Sequence, residues 1–150
     1  MKMKILMVCL GNICRSPLAQ GILESKVHTD RVYVDSAGTS GYHEGNLPDP
    51  RSIQTAKKYG IDITSQRSRK FLATDFDMFD VIYAMDESNF EDIIQLSRNK
   101  EEAKKVKLIL DELSNEDKNV PDPYHGGDQG FENVYKMLEE ACELIASKLN

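Results

Sequence analysis

Four short apolar runs divide the chain, and the stretches between them return to helical spacing. Ile5-Leu6-Met7-Val8 lies within a stretch, residues 4–9, that reads as a buried strand. Val32-Tyr33-Val34, Asp80 to Met85 and Val106 to Leu110 read as three more. After the first run, Leu18, Ile22, Leu23 and Val27 form a helical stripe, for which Ser16 is the expected N-cap and Pro17 the expected first helical residue. Residues 51–59 predict a short helix stopped by Gly60. Asp86-Glu87-Ser88 should cap a helix reaching about residue 97, with Phe90, Ile93 and Ile94 on its inner side. The clearest pattern comes last, with Phe131, Val134, Tyr135, Leu138, Ala141, Cys142, Ile145 and Leu149 on one helical face.

Other stretches carry no such period. Residues 38–50 are rich in Gly and Pro, and a long loop of that kind is often functional. Residues 61–78, with Arg67, Arg69 and Lys70, predict irregular chain with short helical turns. Residues 98–105 read as a solvated charge run, and 111–130, with Pro121, Pro123, Gly126 and Gly127, as a loop. Strands alternating with helices predict an α/β fold, a four-stranded parallel sheet with helices on both faces, in one domain over residues 1–150. Such sheets bind ligands outside the carboxyl ends of their strands.

Composition narrows the function classes. The 150 residues are 40% apolar and 29% charged, with a net charge of -6. An acidic chain is poorly suited to nucleic acid, so any anion it binds needs a local pocket. The apolar stretch behind the first lysines is short for a secretion leader, and no run approaches a membrane span. Three cysteines give no disulfide framework, so a cytoplasmic protein with reduced thiols and no membrane partner is expected.

The chemistry gathers behind the first strand, in Val8-Cys9-Leu10-Gly11-Asn12-Ile13-Cys14-Arg15-Ser16-Pro17. A short glycine-containing loop between a strand and a helix can turn successive N–H groups toward one point. The helix start adds about half a positive charge there. Arg15 can grip two oxygens of a phosphate with its planar fork. The same field favours the thiolate of Cys9, the form that attacks phosphorus, and the Ser16 hydroxyl could donate to it. A leaving group then needs a proton, and Asp122 is the candidate acid, stiffened by prolines on either side.

Val8 to Pro17, Asp35-Ser36-Ala37-Gly38-Thr39, Met85-Asp86-Glu87-Ser88-Asn89 and Asp122-Pro123-Tyr124 together resemble the low-molecular-weight protein tyrosine phosphatase family, in order and over nearly the whole chain. The resemblance implies the flavodoxin-like parallel sheet and a two-step phosphocysteine mechanism without metal or cofactor. It makes Cys9 the nucleophile, Arg15 the phosphate clamp, Asp122 the acid and then the base, and Ser16 the support of the thiolate. Gly11 and Cys14 fall within the phosphate-binding loop, Asn12 and Ser36 in the network that holds its shape, and Leu10 and Ile13 near the substrate ring. Tyr42 and Tyr124 match the walls of the ring slot; His43 and His125 read first as surface residues, and following those tyrosines directly they could line its rim. A cysteine placed as Cys14 can trap the oxidised nucleophile as a disulfide. Gln66 departs from a histidine often found in the network, which questions the support of Asn12. The implied partners are phosphotyrosine proteins or peptides, with a bacterial tyrosine kinase as one possibility.

Rival readings remain on the same scaffold. Arsenate reductase needs two relay cysteines, and none lies between Cys14 and Cys142, the latter expected in the core. Protein arginine phosphatases tend to have threonine where Ile13 stands. A non-catalytic phosphotyrosine-binding module would lack the nucleophile or the acid, and both are present. The three histidines, His28, His43 and His125, show no metal-ligand spacing, and Asp86 reads first as a helix cap.

Overall fold

A computed structural model describes residues 2–114, 116–125 and 127–150. Of the expected loop residues, Gly126 lies outside that set. Strands β1 (Met3–Cys9), β2 (Val32–Gly38), β3 (Val81–Ala84) and β4 (Val106–Leu108) pair in parallel in the order β2-β1-β3-β4. The helices are α1 (Arg15–Glu24), α2 (Pro50–Lys58), α3 (Asp75–Met78), α4 (Glu87–Leu96), α5 (Lys100–Ala103) and α6 (Gly127–Leu149). The chain leaves β1 for β2 on one side and returns to β3 on the other, so the carboxyl ends of β1 and β3 form the switch point where such sheets bind ligands.

Strand parity decides where Cys9 faces. Successive side chains of a strand point to opposite faces. Ile5, Met7 and Cys9 therefore pack with Leu18 and Ile22 of α1 and Val134, Leu138, Cys142 and Ile145 of α6. Leu6 and Val8 face the other layer, with Phe71, Phe76, Phe79, Ile82 and Ile93. Cys9 is the last residue of β1 on the α1 side, so its sulfur meets the N-terminus of that helix.

Several boundaries move for physical reasons. The first helix starts at Arg15 with Cys14 as N-cap and no side-chain cap, not with Ser16 capping Pro17, because the Ser16 hydroxyl is occupied by Cys9 and Asn12. The second begins at Pro50, with Asp49 capping the Arg51 amide at 2.8 Å. The last strand stops at Leu108 and tightens into a 3-10 turn over Ile109–Glu112. The supposed loop to residue 130 holds a 3-10 turn, Pro123–His125, and the first turn of α6. The charge run is ordered: Asn99 caps α5, and Arg98 pairs with Glu102 and Asp77, each at 2.6 Å. Between α2 and α3, Gly38 N–H donates to Arg69 O and Phe71 N–H to Gly38 O, at 2.9 and 2.7 Å. Long-range pairing thus orders a stretch without local periodicity.

Candidate active site

Cys9 ends β1, and the chain then curls through residues 10–14 into α1. Its carbonyls are drawn outward. Cys9 O and Leu10 O accept from the amides of Thr39 and Ser40, both at 2.9 Å, and Ile13 O from that of Asp49 at 2.8 Å. The hydroxyls of Ser68 and Ser52 take Gly11 O at 3.0 Å and Cys14 O at 3.2 Å. In a planar trans peptide the N–H opposes the C=O. The amides of Leu10, Gly11, Asn12, Cys14 and Arg15 are therefore turned inward, into a nest aligned with the N-terminus of α1. Gly38 lets β2 approach closely, since a Cβ there would stand 2.8 Å from Leu10 O.

Asn12 locks the curl. Its φ is +56°, a left-handed conformation that asparagine tolerates better than most residues. Its Oδ1 accepts from the Arg69 amide at 3.0 Å, which fixes the orientation of the amide group. Its Nδ2 donates to Ser16 Oγ at 2.7 Å and Ser36 Oγ at 3.0 Å. Ser36 in turn donates to Gln20 Oε1 at 2.7 Å. Ser16 Oγ also lies 3.0 Å from Cys9 Sγ, within hydrogen-bond distance, and 3.5 Å from Ala37 O. The Asn12 amide also points at that sulfur, at 3.3 Å. The Ser16 hydroxyl and the Asn12 amide thus both lie against Cys9 Sγ.

Arg15, with 3% of its side chain exposed, leans across the cavity. Its Nη1 donates to Asp86 Oδ2 at 2.6 Å and Val120 O at 3.0 Å, which uses both protons on that nitrogen. Nη2 is 3.8 Å from Asp122 Oδ2. The Nε–Nη2 edge, the two-pronged side of the fork, is left for an incoming anion. Burial alone would lower the Arg15 pKa, but Cys9, Asp86 and Asp122 outweigh it and hold the group above its ordinary value. Asp86 also caps α4 through Asn89 N–H at 2.7 Å, so one carboxylate does both jobs.

Asp122 hangs over the cavity with 45% of its side chain exposed, and its Oδ1 accepts from Tyr124 N–H at 3.1 Å. The cavity, ≈ 180 Å³, has Cys9, Gly11, Cys14 and Arg15 at its base and Leu10, Ile13, His43, Asp122, Tyr124 and His125 around its mouth.

A strand-end thiol, an inward amide nest, a fork and an overhanging acid fit phosphoryl transfer. The family described as low molecular weight phosphotyrosine protein phosphatase matches residues 4–150. The chain belongs to this family. A phosphatase of the same description from Schizosaccharomyces pombe is 41% identical over 90% of this chain and 89% of its own. The crystal structure of a protein tyrosine phosphatase from Entamoeba histolytica superposes with a TM-score of 0.93 at 38% identity, covering 99% of this chain and 97% of that one. Vibrio vulnificus Wzb in complex with benzylphosphonate gives a TM-score of 0.87 at 29% identity, covering 98% and 99%.

Set against the resemblance to the low molecular weight phosphatases, most of the expected residues meet in one place. Cys9, Leu10, Gly11, Ile13, Cys14, Arg15, Asp122 and Tyr124 line the cavity, and Asn12, Ser16 and Ser36 stand directly behind it. Tyr42 does not line it: the side chain is 86% exposed and sits edge-on to His43, ring centroids 4.9 Å apart. Gln66 donates to Pro17 O at 3.1 Å and does not touch Asn12, whose polar atoms are satisfied by Ser16, Ser36 and Arg69. Cys14 is a buried free thiol whose pKa is pushed up to about 12, first by desolvation and then by Asp49 and Cys9. Cys142 is buried in the core, its Sγ 3.8 Å from Ala19 O, and burial raises its pKa.

The sequence pattern gave Asp86 a cap and a place in a family motif, set Arg69 in an irregular stretch without a role, and gave Arg51 none. Arg69 is bound to Asp35 and Asp75 at 3.2 and 3.0 Å. Arg51 is forked onto Asp49, with its guanidinium 5.5 Å from the Tyr124 ring centroid. A basic residue at the second position of a Pro-started helix, two residues after an acidic cap, was the available signal for Arg51. No helix among the described residues is long and apolar enough to cross a membrane.

Proposed function

We propose that this family member hydrolyses phosphotyrosine in proteins or peptides through a phosphocysteine intermediate. The phosphoryl group enters the nest with its oxygens on the inward amides and the free edge of Arg15. Cys9 Sγ attacks phosphorus, the bond from phosphorus to the phenolic oxygen breaks, and protonated Asp122 gives its proton to the departing oxygen. The ionised Asp122 then takes a proton from water as that water attacks phosphorus. The S–P bond breaks, Cys9 leaves as thiolate, and inorganic phosphate departs. Arg15 and the amides stabilise the charge on the equatorial oxygens in both steps.

The observation that carries this reading is Cys9 Sγ, held by the Asn12 amide and the Ser16 hydroxyl, in a cavity that Arg15 and Asp122 also line. Tyrosine kinases fit as partners because they carry phosphotyrosine themselves. The cytoplasmic setting suits a nucleophile that works only as a reduced thiol. The chemistry is tested with p-nitrophenyl phosphate and a phosphotyrosine peptide. Cys9→Ser should abolish turnover of both. Asp122→Ala should slow the peptide, whose leaving group needs the proton, far more than the activated nitrophenyl ester. Turnover retained by Cys9→Ser would end the phosphocysteine reading, and equal losses on the two substrates for Asp122→Ala would end the acid assignment.

A further inference from the structure

Asp122 stands in irregular chain, just before the 3-10 turn Pro123–His125. Its aim is restricted all the same. Pro121 and Pro123 have a fixed φ, and Val120 and Asp122 each precede a proline and are biased to extended backbone. Residues 120–123 therefore move as one stiff arm, and the arm's direction is set where it is attached. Val120 is fully buried in the core on the α1 and α6 side of the sheet. Its N–H donates to Met85 O at 2.9 Å, and its carbonyl accepts from Arg15 Nη1 at 3.0 Å. One residue earlier, Asn119 Oδ1 accepts from the Glu87 N–H at 2.8 Å. Glu87 is the first residue of α4, and its amide is one of those that a helix start leaves without an internal partner. Asp86, the N-cap, takes the Asn89 amide of the same turn with one oxygen and grips Arg15 with the other. The start of α4 thus holds the clamp through Asp86 and the acid's arm through Asn119, with Asp122 Oδ2 at 3.8 Å from Arg15 Nη2.

We propose that Asn119 is a positioning residue for the acid: by tying the arm to the first amide of α4, it sets the Asp122 carboxyl against the ester oxygen of a phosphate held by Arg15. The proposal deepens the phosphatase reading and rests on it for the step that Asp122 performs. Asn119 does not line the cavity and acts through Asp122. The tie needs only the side-chain oxygen, because the Glu87 amide is the donor. Aspartate keeps that oxygen and is favoured at the positive end of a helix, whereas alanine removes it. Loss of one such hydrogen bond corresponds to roughly a three- to tenfold fall in the population of the aligned arm.

Two esters, a phosphotyrosine peptide and p-nitrophenyl phosphate, separate the aim of the acid from the shape of the nest, because only the peptide's leaving group needs the proton. Asn119→Ala should lower kcat/KM for the peptide about three- to tenfold and for the nitrophenyl ester less than twofold. Inhibition by inorganic phosphate, which reads the nest and Arg15, should stay within twofold and thereby show the variant folded. Asn119→Asp should recover the peptide rate. Placed on Asp122→Ala, Asn119→Ala should cost nothing further, since a positioning residue has no effect without the group it positions. Equal losses on the two esters, or a matching loss of phosphate inhibition, would overturn the proposal, because Asn119 would then act on Arg15 through Val120. So would failure of aspartate to rescue, or an additive loss in the double variant. The unaltered protein decides the underlying reading. If it cleaves neither ester, the phosphatase reading falls and the proposal with it; if it cleaves both and Asn119→Ala matches it, only the positioning role falls.

Discussion

Replacing Asn12 by alanine is the most informative single change to the cradle. It deletes three hydrogen bonds, the buried ones to Ser16 and Ser36 and the partly buried one from the Arg69 amide. At about 1 kcal/mol each, these amount to about 3 kcal/mol. Alanine must also adopt the +56° backbone angle that asparagine tolerates, for about 1 kcal/mol more. The sum, about 4 kcal/mol, corresponds to a fall of about 10 °C in Tm for a chain of this size. If all of it serves to hold the nest shut, kcat/KM falls by up to about a thousandfold, at tenfold for each 1.4 kcal/mol. Asn12→Gly separates the two contributions. It loses the same hydrogen bonds but accepts the backbone angle, so it should be the more stable of the two by about 1 kcal/mol. The assays are urea unfolding and aryl phosphate turnover on both variants. Unfolding of Asn12→Ala at the parent's urea midpoint would refute the hydrogen-bond reckoning. Normal kcat/KM with the expected stability loss would show that the network supports the fold and not the nest.

Two further predictions follow from particular contacts. Gly38→Ala puts a methyl group 2.8 Å from Leu10 O and 3.1 Å from Asn12, so the cradle and not a flexible side chain must yield; turnover should fall sharply, with about 1–3 kcal/mol of stability lost in urea unfolding. The Cys14 thiol keeps its proton in the folded chain to about pH 12, whereas an unfolded cysteine releases its own near pH 8.5. Between those values the folded state binds more protons, so this group's share of stability, complete below pH 8.5, is lost as pH rises toward 12. Urea midpoints measured from pH 8 to 11 under reducing conditions should decline, and less steeply in Cys14→Ser.

The parts of the site legible in the sequence were those whose position follows from local pattern. The apolar run over Ile5–Val8 set the strand, the strand set the parity of Cys9, and Pro17 placed the helix start within two residues. Asp122 was legible because two prolines frame it. What stayed hidden depends on distant pairing. Arg69 reaches Asn12 only because Gly38 joins the strand-like segment 69–71, and nothing near Arg69 announces this. Tyr42 and His43 are neighbours in a loop without a period, so which of them lines the cavity could not be read from spacing. Ser16 was misread as a cap because the preference of serine for helix starts is local, while its use by a thiol seven residues earlier is tertiary. The family's histidine at position 66 suggested a weakened network, but the glutamine braces Pro17 and the asparagine found its partner elsewhere.

The outward ties of the nest have a consequence for how the protein comes into being. Cys9 is made before every segment that shapes the loop around it. Yet the carbonyls around it are held by Thr39, Ser40, Asp49, Ser52 and Ser68, and its arginine by Asp86 and Val120. Until those later segments are made and docked, Cys9 is an ordinary thiol in an unformed loop. The cavity around Cys9 thus takes shape only after the segments that follow it in the chain are made and docked. A nascent chain stalled before residue 120 should show the thiol reactivity of unfolded cysteine, and the onset of turnover should report that the whole domain has closed.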